Sequence, residues 1–339
     1  MLAYREALEE QGFVISVQSL LSDEYLQRLY SGSGRNRLSV AAAYWRRMVS
    51  LAGRHGPRLV WLEKELLPYA PAALEWTLLA GSAYVVDIDD AVFHTYDEHP
   101  SGLVRHLLGD KIDRIFRRSA LVTAGCAYLE QRAHAAGAAW VEPFPTVVDL
   151  RTYAPDWTAT HAGVTVGWIG TPATQSFLQP VAPVLAEVLG SGGRLVTVGA
   201  KYPQPLFTTH EQQGWSKDAE VRQLQQFDVG IMPLADAPFE RGKCGYKLIQ
   251  YMAVGLPVIA SPVGANRDIV RHGENGFLAD GPDEWRAALL RLRDDPELRR
   301  RMGRAGRARV EARYSLQVTA PRLCAWLGEI AERQRAQDG

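Results

Sequence analysis

The chain has 339 residues, 47% of them apolar, and its 38 Lys and Arg are balanced by 38 Asp and Glu. That length suits two compact domains better than one, and a neutral balance gives no pointer to a polyanionic partner such as nucleic acid. Three cysteines scattered along the chain, Cys126, Cys244 and Cys324, fit neither a disulfide framework nor a zinc cluster, so a reducing, cytoplasmic setting is the expectation.

No signal-peptide pattern opens the chain and no apolar run is long enough to span a membrane. Residues 1–11 read instead as an amphipathic helix, with Leu2, Ala3, Ala7 and Leu8 on one face. Nearly continuous apolar runs follow at 13–17, 59–62, 84–88 and 121–123. Strands buried on both faces of a parallel sheet look like this. Helical patterns at 24–30 and 38–51 lie between them. Residues 143–157 carry Pro143, Pro145 and Pro155 among polar residues and read as an interdomain crossing. A second strand series begins beyond it, at 164–169, 195–198, 229–232, 257–260 and 277–279. Alternating strands and helices of this kind predict an α/β fold of two similar halves face to face. The expected division is 1–155, 156–312, and a C-terminal helix over 313–339. In that helix Leu323, Trp326, Leu327 and Ile330 form one stripe that would dock back on the first domain.

The strongest local pattern is Gly242-Lys243-Cys-Gly245-Tyr-Lys247-Leu-Ile-Gln250-Tyr-Met252, closed by Gly255 and Pro257. The glycines bound a helix and the proline opens the next strand. Lys243, Lys247 and Gln250 then share a face, opposite Leu248 and Met252. Two lysines beside the free amides of a helix start make a diphosphate site, and a solvated basic turn is the competing reading. Asp87, Asp89 and Asp90 close the strand at 84–88, where open parallel sheets bind ligands. Crowded carboxylates there raise the pKa of at least one of them unless they find partners, and a general base or acceptor-orienting group is one use for them. Helix capping or a magnesium site are alternatives. Glu63 and Glu65 also follow a strand end, as acceptor-side candidates or surface ion pairs. Gly170 and Thr171 turn out of the strand at 164–169 and can approach a phosphate, as can the loop holding Gly264 and Asn266. His94 and His99 are acid, base or acceptor-contact candidates. The arginine-dense tract 299–313 is a solvated helical face, or else a peripheral contact with an anionic membrane.

With these residues in view, the sequence resembles the family 4 retaining glycosyltransferases of the GT-B fold. The resemblance is most specific at Tyr251-Met-Ala-Val-Gly255-Leu-Pro-Val-Ile-Ala260, then Gly264, Ile269-Val270 and Asn275-Gly276-Phe277-Leu278. Ala91-Val-Phe after Asp89-Asp90, and Glu63-Lys64-Glu65, look like a bacterial branch. The resemblance implies two Rossmann-like domains facing across a cleft, the second binding a UDP- or GDP-type sugar and the first an acceptor. It implies transfer of a hexosyl-type group with retention, with no cofactor and usually no bound metal. It places Lys243 or Lys247 on the diphosphate and Gln250 near the ribose. The family usually carries two glutamates eight positions apart, where this chain has Gly242 and Gln250; Glu240 is a near neighbour in sequence. The family's opening strand also has no counterpart, since residue 1 already reads as the following helix. These departures keep alternatives open: a non-catalytic sugar-nucleotide-binding partner subunit, or another GT-B enzyme such as a nucleotide-sugar epimerase or a phosphorylase.

Overall fold

The computed structural model describes residues 2–22, 25, 37–52, 59–158, 163–190 and 192–338. Of the helical pattern at 24–30, all but Tyr25 lies outside the described residues. Among the described residues there are two all-parallel sheets. The first runs β1 (Leu59–Glu63), β2 (Ala83–Ile88), β3 (Leu121–Ala124) and β4 (Val141–Pro143), in that spatial order. The second contains β5 (Val164–Ile169), β6 (Gly193–Val198), β7 (His210–Gln213), β8 (Val229–Met232), β9 (Val258–Ala260) and β10 (Gly276–Leu278), ordered 10-9-8-5-6-7. Strand order therefore reverses between β5 and β8. A crevice opens at the carboxyl ends of the strands flanking such a point.

The period of two in β2, with a core on each face, explains why its run is apolar except for Asp87. Tyr84, Val86 and Ile88 face one core, while Val85 faces another built from both chain ends. That second core holds Tyr4 and Leu8 from the N-terminal helix and Leu316, Leu323, Leu327 and Ile330 from the helix Leu316–Asp338. Two details differ from the sequence expectation. The buried N-terminal face is Tyr4 and Leu8, whereas Leu2 is 67% exposed. Residues 13–17 form no strand: Phe13 and Ile15 pack inward while Val14 stands fully in solvent.

The second sheet is sandwiched. The helix Tyr246–Ala253 and Val310 cover one face; the helices Ala182–Leu189 and Pro282–Asp294 cover the other. The helix Pro296–Arg313 crosses Tyr246–Ala253 at close range. A Cβ on Gly303 would overlap the carbonyl of Gly255, so only glycine permits the crossing. Arginines of this tract fix the crossing: Arg307 reaches the carbonyls of Tyr153 and Ala253, and Arg309 that of Ile269 at 3.1 Å. No described helix is long and apolar enough to cross a membrane.

Candidate active site

The acidic loop follows β2. Lys64, just after β1, adopts a left-handed φ of 69° and donates its N–H to the Asp87 carbonyl at 2.8 Å. This turn sets its Nζ 3.0 Å from Asp89 Oδ1 and 3.4 Å from Asp90 Oδ2. Burial opposes the Lys64 charge, yet the two carboxylates hold its pKa above the ordinary lysine value. From the second half, Lys243 Nζ stands 3.6 Å from Asp90 Oδ1. The expected repulsion among carboxylates is thus met by two lysines. Asp87 stands apart. Burial pushes its pKa up to about 6, and Thr123 donates to it at 2.7 Å.

Lys243 occupies the turn before the helix, not the helix itself. Gly245 takes φ 67° as the N-cap, a left-handed conformation that suits glycine, and helix Tyr246–Ala253 starts beyond it. Lys243 therefore leaves the face it was expected to share with Lys247 and turns to Asp90. Beside it the halves touch: a Cβ on Gly242 would stand 2.5 Å from Ala91 Cβ and 2.8 Å from Ala91 N.

Lys247 points to the crevice between β5 and β8. Its Nζ lies 4.6 Å above the ring of buried Trp168 and 3.4 Å from Thr174 Oγ1. Gly170 admits both groups, since a Cβ there would overlap the indole and stand 3.0 Å from Lys247 Nζ. Thr171 is exposed beside it, its main chain paired with Thr174 Oγ1. No carboxylate among the described residues pairs with Lys247. Burial first, and then the charge of Lys243, lowers its pKa to about 7.

Gln250, one turn on, is almost fully buried. Its amide donates to Glu220 Oε1 at 2.9 Å and to the Tyr153 hydroxyl at 3.1 Å. Tyr153 itself donates to Glu220, and Trp215 Nε1 donates to Glu220 Oε2 at 2.6 Å. The Tyr246 and Tyr153 hydroxyls are 3.3 Å apart. Burial, Tyr246 and Glu220 drive the Tyr153 hydroxyl well above the ordinary tyrosine range, so it stays a donor. Trp215 also lies against Gly199, which abuts the Gly170 carbonyl. Half-exposed Trp215 and Tyr246 thus continue the surface that begins at Lys247. Sequence reading gave Lys64 no role of its own within Glu63-Lys64-Glu65 and missed Tyr153, Trp215 and Glu220. Polar surroundings hid Glu220.

The other candidates lie as follows. Gly264 packs directly on the Arg241 carbonyl. Asn266 is completely buried and donates to the Ser261 carbonyl at 3.0 Å, so the pair braces the Gly242–Gly245 turn from behind. Glu63 is exposed at the end of β1. Glu65 is drawn inward: it pairs with Lys111 and accepts from the Tyr96 hydroxyl at 2.7 Å, while Lys111 also pairs with fully buried Glu75 at 2.9 Å. Both nitrogens of His94 are occupied, Nδ1 by Asp97 and Nε2 by Tyr128, each at 2.8 Å. His99 accepts from the Ser101 N–H at 3.0 Å. Among the described residues no group of three or more His, Cys, Asp or Glu is arranged to hold a metal ion.

Two parallel α/β layers with a crevice at the second sheet's switch point, faced by an acidic loop of the first, define the GT-B fold. Solved structures agree: sucrose-phosphate synthase from Thermosynechococcus elongatus superposes with a TM-score of 0.68 at 18% identity, covering 88% of this chain and 79% of that one. HepE of Anabaena, crystallised with UDP, gives 0.64 at 16% identity, covering 87% and 84%. Within that fold, residues 164–295 match the family model of glycosyl transferases group 1. Curated relatives include the D-inositol 3-phosphate glycosyltransferases of Thermobispora bispora, 31% identical over 50% of this chain and 35% of that one, and of Thermomonospora curvata, 33% identical over 47% and 33%. The chain thus spans about a third of the length of these relatives in the matched region.

Proposed function

We propose that the protein is a retaining glycosyltransferase of the family 4 type, moving a hexosyl group from a UDP- or GDP-type donor to an acceptor. One observation carries this reading: Lys247, a half-buried lysine with no carboxylate partner among the described residues, stands at the switch-point crevice beside a helix start. A cation so placed is costly unless an anion joins it. A nucleoside diphosphate supplies that anion. Its leaving-group charge then meets Lys247 and the helix N-terminus, fixed before the reaction begins.

The remaining residues divide the substrate. Thr171 and Gly170 give backbone access to the phosphates. Glu220 and Gln250 together offer the acceptors and donors that a ribose diol needs, so Glu220 restores the carboxylate that the family usually places at position 250. Trp215 and Tyr246 present aromatic surface to the base. Asp89 and Asp90, held by Lys64 and Lys243, face the seam where an acceptor hydroxyl enters and accept its hydrogen bond. Retention requires the hydroxyl and the departing phosphate to share one face of the sugar, which a single crevice between loops permits.

A thermal-shift panel of nucleotide sugars, followed by mass spectrometry of donor consumption with and without acceptors, tests this. One donor should raise the melting temperature by mass action and be consumed only with an acceptor present. Conversion without acceptor would mean an epimerase. Tight binding with no turnover on any acceptor would mean a non-catalytic subunit. Failure of every nucleotide sugar and free nucleoside diphosphate to bind would overturn the proposal.

A further inference from the structure

Two of the chain's three cysteines, remote in sequence, meet where the halves touch. Cys126 follows β3 in the first half and is the N-cap of the helix Ala127–Ala135. Cys244 belongs to the turn that carries Lys243 in the second. Both sulfurs lie 3.7 Å from the same Gly242 carbonyl oxygen. Cys244 Sγ also lies 3.0 Å from the Asp89 carbonyl oxygen. Gly125 makes this approach possible, because any side chain there would overlap Cys244 Sγ. Cys324 is elsewhere, 3.6 Å from the Ala7 carbonyl.

The two sulfurs are chemically unequal. Cys126 sits at the start of its helix with its sulfur 3.7 Å from the Gly242 carbonyl and 3.9 Å from that of Arg241. The neighbouring Cys244 thiol, working against burial, lowers the Cys126 pKa; the neighbouring Cys126 and burial raise that of Cys244. Thiolates at helix N-termini are the reactive ones. Cys126 is also the partly exposed member, and Cys244 the buried one. A partly exposed thiol at a helix start, with a second, buried thiol on the same carbonyl oxygen, is the arrangement of a reversible disulfide.

We propose that Cys126 and Cys244 form a redox clasp, joined by a disulfide that ties the two halves together across the seam. The oxidant is a low-molecular-weight disulfide. The Cys126 thiolate attacks one of its sulfurs and expels the first small thiolate, leaving a mixed disulfide. Cys244 then loses its proton, attacks the Cys126 sulfur and expels the second. Two small thiols are produced for each protein disulfide formed, and an excess of small thiol reverses both steps. The clasp stands on sulfur geometry and does not depend on the transfer reaction proposed above.

The full-length protein, equilibrated in graded mixtures of reduced and oxidised glutathione, acid-quenched, alkylated and digested, provides the test. The expected product at oxidising ratios is a peptide linking Cys126 to Cys244, with Cys324 still alkylated, and it disappears on treatment with dithiothreitol. Cys244→Ser should accumulate glutathione on Cys126, while Cys126→Ser should leave Cys244 free. Cys324→Ser should form the link as the unaltered protein does, which keeps the test open if either seam variant fails to fold. Glutathione stopping on Cys126 in the unaltered protein, or all three thiols alkylating equally at every ratio, would overturn the proposal.

Discussion

Replacing Lys247 with methionine removes a charge while keeping a side chain of similar length over Trp168. The free side chain has a pKa of about 7, against about 10.4 for an ordinary lysine. A diphosphate that pairs with it raises that value, so the complex takes up a proton wherever the free lysine is neutral. The sign follows: affinity is full below the free pKa and falls as pH rises through it. A nucleotide sugar is the right probe, because its diphosphate diester does not titrate in this range. Between pH 6 and pH 8 its dissociation constant should rise about tenfold, with about 0.9 proton taken up per complex at pH 8. Full restoration of the lysine pKa would be worth roughly 4–5 kcal/mol. Charge-assisted hydrogen bonds give nearer 1.5–3 kcal/mol in mutational series, so at pH 6 Lys247→Met should weaken binding about 10- to 150-fold. Titration calorimetry in buffers of different ionisation enthalpy reads both quantities. Affinity independent of pH in the unaltered protein, or a pH slope that persists in Lys247→Met, would refute the assignment of Lys247 to the diphosphate.

Other expectations follow from the same packing. Gln250→Glu sets a second carboxylate against Glu220; it should cost about 1–3 kcal/mol near neutral pH, measured by urea denaturation. That cost should be relieved on acidification and by adding Glu220→Gln. Glu220→Gln alone should weaken nucleoside diphosphate binding about tenfold or more through the loss of a charged acceptor, while free pyrophosphate, which has no ribose, should bind as before. Gly303→Ala gains about 1 kcal/mol of helix propensity but overlaps the Gly255 carbonyl; a net loss of about 1–3 kcal/mol is expected in thermal unfolding. Glu75→Ala leaves buried Lys111 with Glu65 as its one carboxylate and the Leu67 carbonyl, and should cost about 3–5 kcal/mol.

How much of this was legible beforehand depended on burial. The interior strands β2, β5 and β8 announce themselves because both faces are covered, so apolar residues follow one another with few breaks. β4 and β7 escape notice because each is an edge with one neighbour: Val-Glu-Pro and His-Glu-Gln-Gln carry little apolar signal. The run at 13–17 misleads for the opposite reason, being apolar while Val14 faces solvent. Lys243, Lys247 and Gln250 stand out because one turn and one helix hold them close in sequence. Glu220 lies 30 residues from Gln250, and Tyr153 lies 97 residues from it. Only the fold joins these, and single-sequence spacing carries no trace of it. The lysines that neutralise Asp89 and Asp90 are hidden likewise, since one comes from the neighbouring strand and the other from the opposite half.

The contact of Gly242 with Ala91 leaves no clearance between the halves at that point. In mechanical terms such a contact would act as a fulcrum. If the halves rock about it, groups within a few ångströms of the pivot barely shift while the far rim of the crevice swings widely. The Lys243–Asp90 bridge, at 3.6 Å, lies beside that point. Swapping the pivot glycine for a bulkier residue would not merely loosen the seam: it would lengthen the gap at every angle of the stroke, as a shim under a hinge holds a door from its frame.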